Sequence, residues 1–428
     1  MPEKTLIDNI IALEWVMFSS VFMLGAYPQG WIESLFTWLG DVATKFIPAG
    51  AIQDLVVNGI VSGVGSVAVF IPQILILYLF ISLMEDSGYM ARAAFIMDKL
   101  MHKMGLHGKS FIPMLMGFGC NVPAIMATRT IESRSSRLIT ILVTPFMSCS
   151  ARLPVMVLFA GAFFPGYEPL VLTALYLLGI FAAIVTARLL RIVKFKKDET
   201  PFVMELPPYR WPTLQATIRH MWEKCAQYIK KIGTVILLST IAIWFLGYYP
   251  RPEQAESEKV KAASERAQST SLLDAMPSGS GLREAKTESF EQVADEATIN
   301  GINENSFIAM LGHTVEPVLR PLGLNWRSSI ALITSIPAKE LVVSTLGVLY
   351  SSDSDESITV DLKKSGDFTP RSAAAFLVFI LLFFPCIATI STIAHETGSK
   401  KWALFSIIYN TAVAWVAAFL VYVIGGMI

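Results

Sequence analysis

Long apolar runs separated by short polar connections dominate the chain. A helix needs about 20 apolar residues to cross the hydrocarbon core of a bilayer, and several runs reach or approach that length. The runs cover residues 10–27, 55–84, 138–163, 170–190, 232–249, 372–395 and 402–427. This pattern predicts an all-α polytopic membrane protein with about 7–9 membrane segments.

Composition agrees with that prediction. The 428 residues are 54% hydrophobic and 16% charged, whereas soluble domains carry about 25% charged residues. Three of the four cysteines lie in apolar segments, so we expect no secreted disulfide framework. The polar start MPEKTLIDN is followed by an apolar run without a small-residue cleavage pattern, so no cleavable signal peptide is expected.

The distribution of charge predicts the orientation of the segments. Residues 188–231 contain ten Lys or Arg against four Asp or Glu, which favours a cytoplasmic position. Residues 251–304 contain eleven acidic against six basic residues and are rich in Ser and Ala, which is typical of a partly disordered linker on the outer side. Counting segments back from the cytoplasmic stretch puts the N-terminus and residues 86–109 inside.

The run 110–127 conflicts with this count. If it crossed the bilayer, Arg129, Arg134 and Arg137 would lie outside. The run contains GFGCNVPA (117–124), whose glycines and proline are unfavourable in a helix. A re-entrant hairpin would keep the arginines inside, and non-helical backbone at membrane depth is tolerated where it is buried in protein or lines a cavity. A kinked span remains the alternative.

A short motif occurs twice. GLHGKSFI (105–112) and GLNWRSSI (323–330) share the pattern G-L-x-x-[KR]-S-x-I. Each copy leads into an apolar run with a break, GFGCNVPA and SIPAKE (335–340), and then into a span with a proline break. Because the copies start on opposite sides in the segment count, we predict an inverted repeat with two re-entrant or broken helices and a substrate site between the repeats.

Enzymatic motifs are incomplete. GLHGKS (105–110) resembles a phosphate-binding loop, but Lys103 stands where Walker A requires its first glycine. His395 and Glu396 are not followed by the second histidine of a zinc-protease helix, and no G-x-S-x-G elbow exists. The sequence predicts that this chain is not an enzyme and binds no nucleotide.

Polar groups inside apolar segments are functional candidates because they are costly there. The predicted metal ligands are Cys120, Cys149, Cys386 and Glu340; Asn121, Ser148 and His395 are additional pathway candidates. Thiolate, carboxylate and amide oxygen together suit a transition divalent cation such as Fe²⁺, Mn²⁺, Co²⁺ or Zn²⁺. Broken helices add unwound carbonyls and helix C-terminal ends, which also favour cations.

Simpler interpretations stand beside this one. A buried cysteine is usually a small hydrophobic residue, and Glu340 has Lys339 as a neighbouring partner for an ion pair. Cys225 lies in a stretch with no matching break, MWEKCAQYIKK, and is interpreted as structural.

Six strings resemble the membrane domain of the FeoB family of bacterial ferrous-iron transporters, in the same order. They are EDSGYMARAAFIMDKL (85–100), GKSFIPMLMGFGCNVPAIMATRT (108–130), TPFMSCSARLPV (144–155), TPFVMELPPYR (200–210), SIPAKELVVSTLGVLY (335–350) and FFPCIATISTIA (383–394). The resemblance extends from about residue 10 to the C-terminus. The regions GFGCNVPA/PFMSC and SIPAKE/FFPC resemble the paired Gate motifs of that family.

The resemblance implies uptake of Fe²⁺, as the transported substrate, across the bacterial inner membrane. It implies that Cys120, Cys149 and Cys386 contact iron, and Glu340 falls in the matching part of the second Gate. Full-length family members carry an N-terminal G-protein domain. This chain starts almost at its first span, so we expect the G-protein domain to act in trans, with a small FeoA-like cytoplasmic protein as a further partner. A lipid bilayer is implied and nucleic acid is not; homo-oligomerisation and the choice between channel and carrier stay open.

These inferences divide the chain into six parts. They are a first span with an outer amphipathic segment (1–50), a first Gate repeat (51–190), a cytoplasmic linker (191–231), a span (232–249), an extracytoplasmic linker (250–305) and a second Gate repeat (306–428). Two alternative functions remain. One is a carrier of organic solutes such as nucleosides, and the other is a non-transporting membrane scaffold for a soluble GTPase.

Overall fold

The structure is a computed structural model and describes most of the chain. The described residues are 3–48, 51–61, 64–65, 68–69, 71–194, 213–248, 306–350 and 355–426. The predicted extracytoplasmic linker 250–305 and part of the predicted cytoplasmic linker, 195–212, therefore lie outside the described residues.

Every described regular element is helical, as the sequence predicts. The first half contains α1 (Glu3–Phe46), α2 (Ala51–Asp54, continued by a π-helix over Leu55–Val61), α3 (Ile71–Asp86), α4 (Tyr89–Lys103), α5 (Phe111–Met116), α6 (Asn121–Ala127), α7 (Arg134–Val143), α8 (Leu153–Phe163) and α9 (Glu168–Val193). The second half contains α10 (Leu214–Tyr248), α11 (Phe307–Leu319), α12 (Trp326–Thr334), α13 (Leu341–Leu349), α14 (Asp355–Lys364), α15 (Pro370–Leu382), α16 (Ile387–Thr397) and α17 (Lys400–Ile424).

Four stretches in the described part of the chain are long and apolar enough to cross a membrane. They are Arg134–Phe163, Glu168–Val193, Pro370–Thr397 and Lys400–Ile424. They coincide with four of the seven predicted apolar runs. Two further apolar helical stretches, Ile71–Met84 and Leu237–Gly247, are shorter. The chain is thus a multi-pass helical membrane protein.

These spans differ in how deeply they are buried. The most apolar window of Pro370–Thr397 is 72% buried inside the protein, whereas that of Lys400–Ile424 is only 17% buried. α15 therefore forms the centre of the core, and α17 packs along it at the periphery. On α9, another peripheral helix, the exposed Leu177, Phe181, Val185 and Leu189 recur every four residues. Such a stripe lies on one face of a helix and suits contact with lipid.

The segment around the first predicted break folds as a helical hairpin. α5 and α6 pack against each other. At the two ends of the hairpin, Lys109 Nζ donates to Glu132 Oε1 at 2.8 Å. This contact holds the pKa of the Glu132 carboxyl below its usual range. The chain therefore enters and leaves the hairpin at neighbouring points.

A second hairpin follows the second copy of the motif. α12 packs against α13, and the Arg327 guanidinium lies 5.4 Å from the centre of the Tyr350 ring, which follows α13. Arg327 Nη1 and the Tyr350 hydroxyl both donate to Asp367 Oδ2, at 2.9 and 2.8 Å. The basic residue of the motif thus joins the ends of the hairpin in both copies.

The motif G-L-x-x-[KR]-S-x-I has the same local structure in both places. Gly105 and Gly323 have φ of 82° and 71°, a left-handed conformation that glycine adopts without strain. Two residues later, the His107 and Asn325 side chains accept backbone N–H groups and cap the following helical turns. The glycine ends one helix and the cap starts the next, which explains why the pattern recurs.

Candidate functional site

The first break lies at the tip of the first hairpin. α5 ends before Gly117 and α6 begins at Asn121, so a three-residue turn and Cys120 interrupt the helix. Cys120 has an extended backbone, with φ −151° and ψ 131°. A Cβ atom at Gly119 would lie 2.9 Å from a methyl group of Leu77. The glycine therefore permits close packing against Leu77, and a larger residue would require the Leu77 side chain to shift.

In each half of the protein, the second break is tied to the first by a backbone hydrogen bond. Ser150 N–H donates to Gly119 O at 3.2 Å, and Ser150 Oγ donates to the same oxygen at 3.0 Å. In the second half, Ile387 N–H donates to Ile336 O at 3.0 Å. Ser150 and Ile387 each directly follow a predicted thiol ligand. These bonds satisfy carbonyls that the broken helices leave without an internal partner.

All four predicted metal ligands directly precede a helical segment. Cys120 precedes α6, Glu340 precedes α13, Cys386 precedes α16, and Cys149 precedes a 3₁₀ turn at Ser150–Arg152 that leads into α8. The expected helix C-terminal ends are present at the breaks, at Met116, Thr334 and Leu382, but the four predicted ligands lie at the N-terminal ends of the following segments. The helix dipole favours negative charge at such positions, whereas burial of these side chains opposes it.

The four residues belong to two pairs of packed helices that join the two halves. α6 packs against α16, and α8 contacts α13. Cys120 and Cys386, at the starts of the first pair, belong to one small apolar cluster. Cys149, at the start of the second pair, lies within electrostatic range of Glu340 and also of Cys386. Each pair therefore combines one predicted ligand from each predicted repeat.

The two pairs are neighbours but do not form one cage. Cys120 lies within electrostatic range of Cys386, Cys149 and Glu340, and all three thiols are half-buried. Across the described ranges, no group of three or more His, Cys, Asp or Glu side chains is arranged to hold one metal ion. The arrangement suits successive contacts made by two ligands at a time.

The additional pathway candidates occupy different environments. Asn121 is buried, and its side-chain oxygen has no hydrogen-bond partner. Ser148 is also buried, and its hydroxyl points to the Met156 sulfur at 3.8 Å. His395 is at the far end of α16 from the thiols, 3.4 Å from Glu396. Only Asn121 offers a free oxygen beside a predicted thiol ligand.

Lys339 does not pair with Glu340, its neighbour in the chain. Lys339 is buried, and its Nζ donates to Ser335 Oγ at 3.3 Å. The same ammonium lies 4.6 Å from the centre of the Phe383 ring and 5.4 Å from that of Phe384. Glu340 forms no ion pair with any described residue, so its carboxylate remains available.

Sequence reasoning missed a second buried cation, Arg152, which directly precedes α8. The side chain is 1% exposed, and its guanidinium donates only to backbone carbonyls among the described residues. The sequence does mark Arg152 as a functional candidate, because a charged residue in an otherwise apolar stretch is energetically costly in a membrane.

A cluster of charges joins the halves at the other end of α6 and α16. Arg129, just after α6, donates to both carboxylate oxygens of Glu396, with Nε at 2.8 Å from Oε2. Arg137 Nη2 donates to the same Oε2 at 3.0 Å and to the Glu396 backbone carbonyl at 3.2 Å. The Glu396 side chain is 3% exposed. The helix pair is thus fastened at the end opposite the thiols.

We expect Glu396→Gln to lower the stability of the protein by about 1 kcal/mol, since it removes a buried charge from two arginines that are only partly buried. The measurement is the apparent melting temperature of purified protein in detergent. Glu223→Gln is the matched control, because the Arg219–Glu223 pair is exposed on a single helix. Equal melting temperatures for Glu396→Gln and the unmodified protein would contradict a stabilising role for the cluster.

Two family models match the chain. The model described as Gate, nucleoside recognition, matches residues 67–163 and 229–400. The model described as ferrous iron transport protein B C terminus matches residues 172–224. The comparison with solved structures found no match.

Named relatives cover almost all of the chain. An Fe(2+) transport protein A/Fe(2+) transporter FeoB fusion protein of Porphyromonas gingivalis is 53% identical over 96% of this chain and 49% of the relative. Fe(2+) transporter FeoB of Methanocaldococcus jannaschii is 40% identical over 98% of this chain and 57% of the relative. The Campylobacter jejuni transporter of the same name is 38% identical over 95% of this chain and 61% of the relative.

The chain thus spans between about half and two thirds of the length of these relatives. The Gate match alone covers more than half of the chain, and it includes all four predicted metal ligands. The C-terminal match falls between the two Gate segments and includes the string TPFVMELPPYR. The chain therefore belongs to the FeoB family and contains its Gate and C-terminal membrane regions.

Proposed function

We propose that this chain conducts ferrous iron across the bacterial inner membrane into the cytoplasm, with its N-terminus on the cytoplasmic side. Relatives that match nearly the whole chain are named Fe(2+) transporters. The positively charged stretch 188–231 supports the orientation.

The observation that carries the proposal is the position of four side chains at the starts of two helix pairs, each pair joining the two halves. Three thiols, the Glu340 carboxylate and the unpartnered oxygen of Asn121 form a mixed ligand set. Such a set suits Fe²⁺ and related divalent ions better than Mg²⁺ or Ca²⁺. Contacts made two at a time also suit transport, because an ion must be bound weakly enough to leave.

We further propose that the two halves form an inverted repeat with two re-entrant hairpins. Support comes from the shared local structure of the two motif copies and from the hairpins whose ends are joined at Lys109 and Arg327. The paired hydrogen bonds to Gly119 and Ile336 support the same relation. In this arrangement the helix starts of both repeats face a common central region, where transporters bind their substrates.

Nucleotide hydrolysis would be supplied by a G-protein domain outside this sequence. A small FeoA-like protein is a further proposed partner, and the Porphyromonas relative is named as a fusion of transport protein A with FeoB. We do not propose GLHGKS as a nucleotide site, because Lys103 stands where Walker A requires its first glycine.

The test is uptake of radioactive ferrous iron, under reducing conditions, by cells that lack their own ferrous transporter and express this protein with the G-protein domain supplied. We expect uptake well above that of cells with an empty vector. Cys225→Ser is a control variant, because Cys225 is buried in α10 and far from the breaks in sequence. It should transport as the unmodified protein does.

A carrier for organic solutes is the second candidate, because the matching Gate model is described as nucleoside recognition. The same cells are therefore given a radioactive nucleoside in a parallel arm. Nucleoside uptake without iron uptake would overturn the iron proposal in favour of this carrier. Uptake of neither solute, with the G-protein domain bound at the membrane, would favour a non-transporting scaffold.

A further inference from the structure

Arg152 is a fully buried cation that contacts both halves of the protein. Its Nη1 donates to Pro145 O at 3.0 Å and to Met147 O at 3.3 Å, and its Nη2 donates to Phe383 O at 3.1 Å. Arg152 forms no ion pair with a described carboxylate, and its Nε has no hydrogen-bond partner. One guanidinium therefore links the local carbonyls to a carbonyl that lies 231 positions from Arg152 in the chain.

The three acceptors belong to the two breaks that carry the second thiol of each half. Pro145 and Met147 lie in the break that ends at Cys149, and Phe383 opens the break that ends at Cys386. Carbonyl groups at a helix break lack the backbone N–H donor that a continuous helix would supply, so they need another donor. Arg152 supplies that donor to both breaks at once, and its acceptors Met147 and Phe383 lie two and three residues before the thiols.

The chemistry of arginine fits this task. Its guanidinium is planar and rigid and presents several donors in a fixed fork. A lysine in the same place would present a single flexible ammonium group. Burying a charge without a carboxylate partner is costly, and the three hydrogen bonds to backbone carbonyls offset part of that cost.

We propose that Arg152 is a positioning residue that sets the separation of Cys149 and Cys386. We call the three hydrogen bonds of Arg152 the Arg152 clamp. This inference rests on the proposed iron transport, because the clamp fixes two of the proposed iron ligands, one from each repeat. Substituting the guanidinium would release Phe383 from the other half and let the two thiols move relative to each other.

The first test measures geometry without transport. Cys120→Ser and Cys225→Ser leave Cys149 and Cys386 as the two thiols of the chain. In membranes containing this protein, bifunctional thiol reagents of increasing length are compared for cross-linking rate. We expect a sharp optimum at one length with Arg152, a broader optimum with Arg152→Lys, and no distinct optimum with Arg152→Gln.

Arg188→Gln is the matched control for cross-linking. Arg188 also donates to a backbone carbonyl, that of Lys103 at 2.7 Å, but this bond lies on an exposed surface away from the breaks. The control should keep the sharp optimum. An unchanged optimum in Arg152→Lys and Arg152→Gln, or no cross-linking of the two thiols with Arg152 present, would overturn the clamp.

The second test measures metal binding by purified protein with all four cysteines present. Cobalt(II) serves as the probe, since thiolate ligation gives an absorption band in the near ultraviolet. We expect the cobalt affinity to fall by about tenfold in Arg152→Gln, as is typical when a group supporting a metal ligand is lost. Arg152→Lys should recover part of the loss.

The experiments distinguish failure of the Arg152 clamp from failure of the proposed iron transport. Tighter cobalt binding by Arg152→Gln would mean that Arg152 acts by charge repulsion, which overturns positioning. If the cross-linking optimum depends on Arg152 but the protein takes up no iron, the clamp is supported and the transport proposal is wrong. If iron uptake is normal but the cross-linking optimum does not depend on Arg152, the transport proposal is supported and the clamp is wrong.

Discussion

Ferrous-iron uptake is expected to fall by at least about tenfold when Cys120 and Cys386 are both replaced by serine, because loss of even an outer partner of a metal ligand typically has that effect. The two thiols start the packed helices α6 and α16 and share one apolar cluster. Serine is close in size to cysteine, so packing is retained. The hydroxyl is a much poorer ligand for a soft or borderline divalent ion than a thiolate.

The pairwise arrangement makes a sharper prediction about additivity. If Cys120 and Cys386 contact the same ion at the same step, the double variant should lose little more than either single variant. Cys149→Ser, which affects the other pair, should add a further loss. Such cycles separate coupled from independent residues. The measurement is the initial rate of radioactive iron uptake, normalised to the amount of protein in the membrane.

Cys225→Ser controls for the loss of a thiol as such. Uptake at the unmodified rate by the Cys120→Ser/Cys386→Ser protein would contradict the assignment of these thiols as iron contacts. In that case, the simpler interpretation of both cysteines as small hydrophobic residues would hold.

The sequence predicted the position of the first break because glycine and proline disfavour a helix locally. It could not predict which residue would restart the helix. The start at Asn121 depends on tertiary hydrogen bonds, above all those from Ser150 to Gly119, which is 31 residues away. For that reason the pattern could not show that Cys120 directly precedes the restarted helix.

Lys339 and Glu340 do not form the ion pair that their adjacency in the sequence suggests, and the reason is geometric. Adjacent residues at the start of a helix do not face each other, and the ammonium turns instead to Ser335 and the ring of Phe383. Phe383 lies in a later segment of the chain, and the local sequence pattern around SIPAKE does not predict that it contacts Lys339.

Arg152 illustrates the same limit. Its acceptors Pro145 and Met147 are local, but Phe383 is far away in sequence. A pattern within the string TPFMSCSARLP marks the arginine as unusual without identifying its partner. By contrast, the motif around Gly105 and Gly323 was recognisable, because its residues act on the backbone within a few positions.

Gly179→Ala is expected to destabilise the protein by about 1–3 kcal/mol, the usual cost of forcing an extra group into a packed site. Gly179 lies in α9, where a Cβ atom would stand 2.8 Å from the carbonyl oxygen of Phe146. That oxygen belongs to the backbone and cannot rotate away as a side chain would. Phe146 is three residues before Cys149, so relief of the clash must move α9 or the break that carries the thiol.

Valine at this position should destabilise the protein more, because its two additional methyl groups would also be crowded against the backbone of Phe146. We expect Gly179→Val to give little folded protein and Gly179→Ala to show a lower melting temperature together with reduced iron uptake. Thermal stability is measured by heating detergent-solubilised protein and recording the fraction that remains monodisperse on size-exclusion chromatography. Uptake is measured in the same cells as for the thiol variants.

Gly161→Ala separates this clash from the general effect of alanine in a helix. Gly161 lies in α8, and no atom stands within 4 Å of the position of an added Cβ. Alanine is favoured over glycine in a helix by about 1 kcal/mol, so Gly161→Ala should be neutral or stabilising. The two variants carry the same chemical change and should differ in sign. A Gly179→Ala protein as stable as Gly161→Ala would mean that α9 and the Phe146 break can separate freely, and close packing at Gly179 would then not hold Cys149 in place.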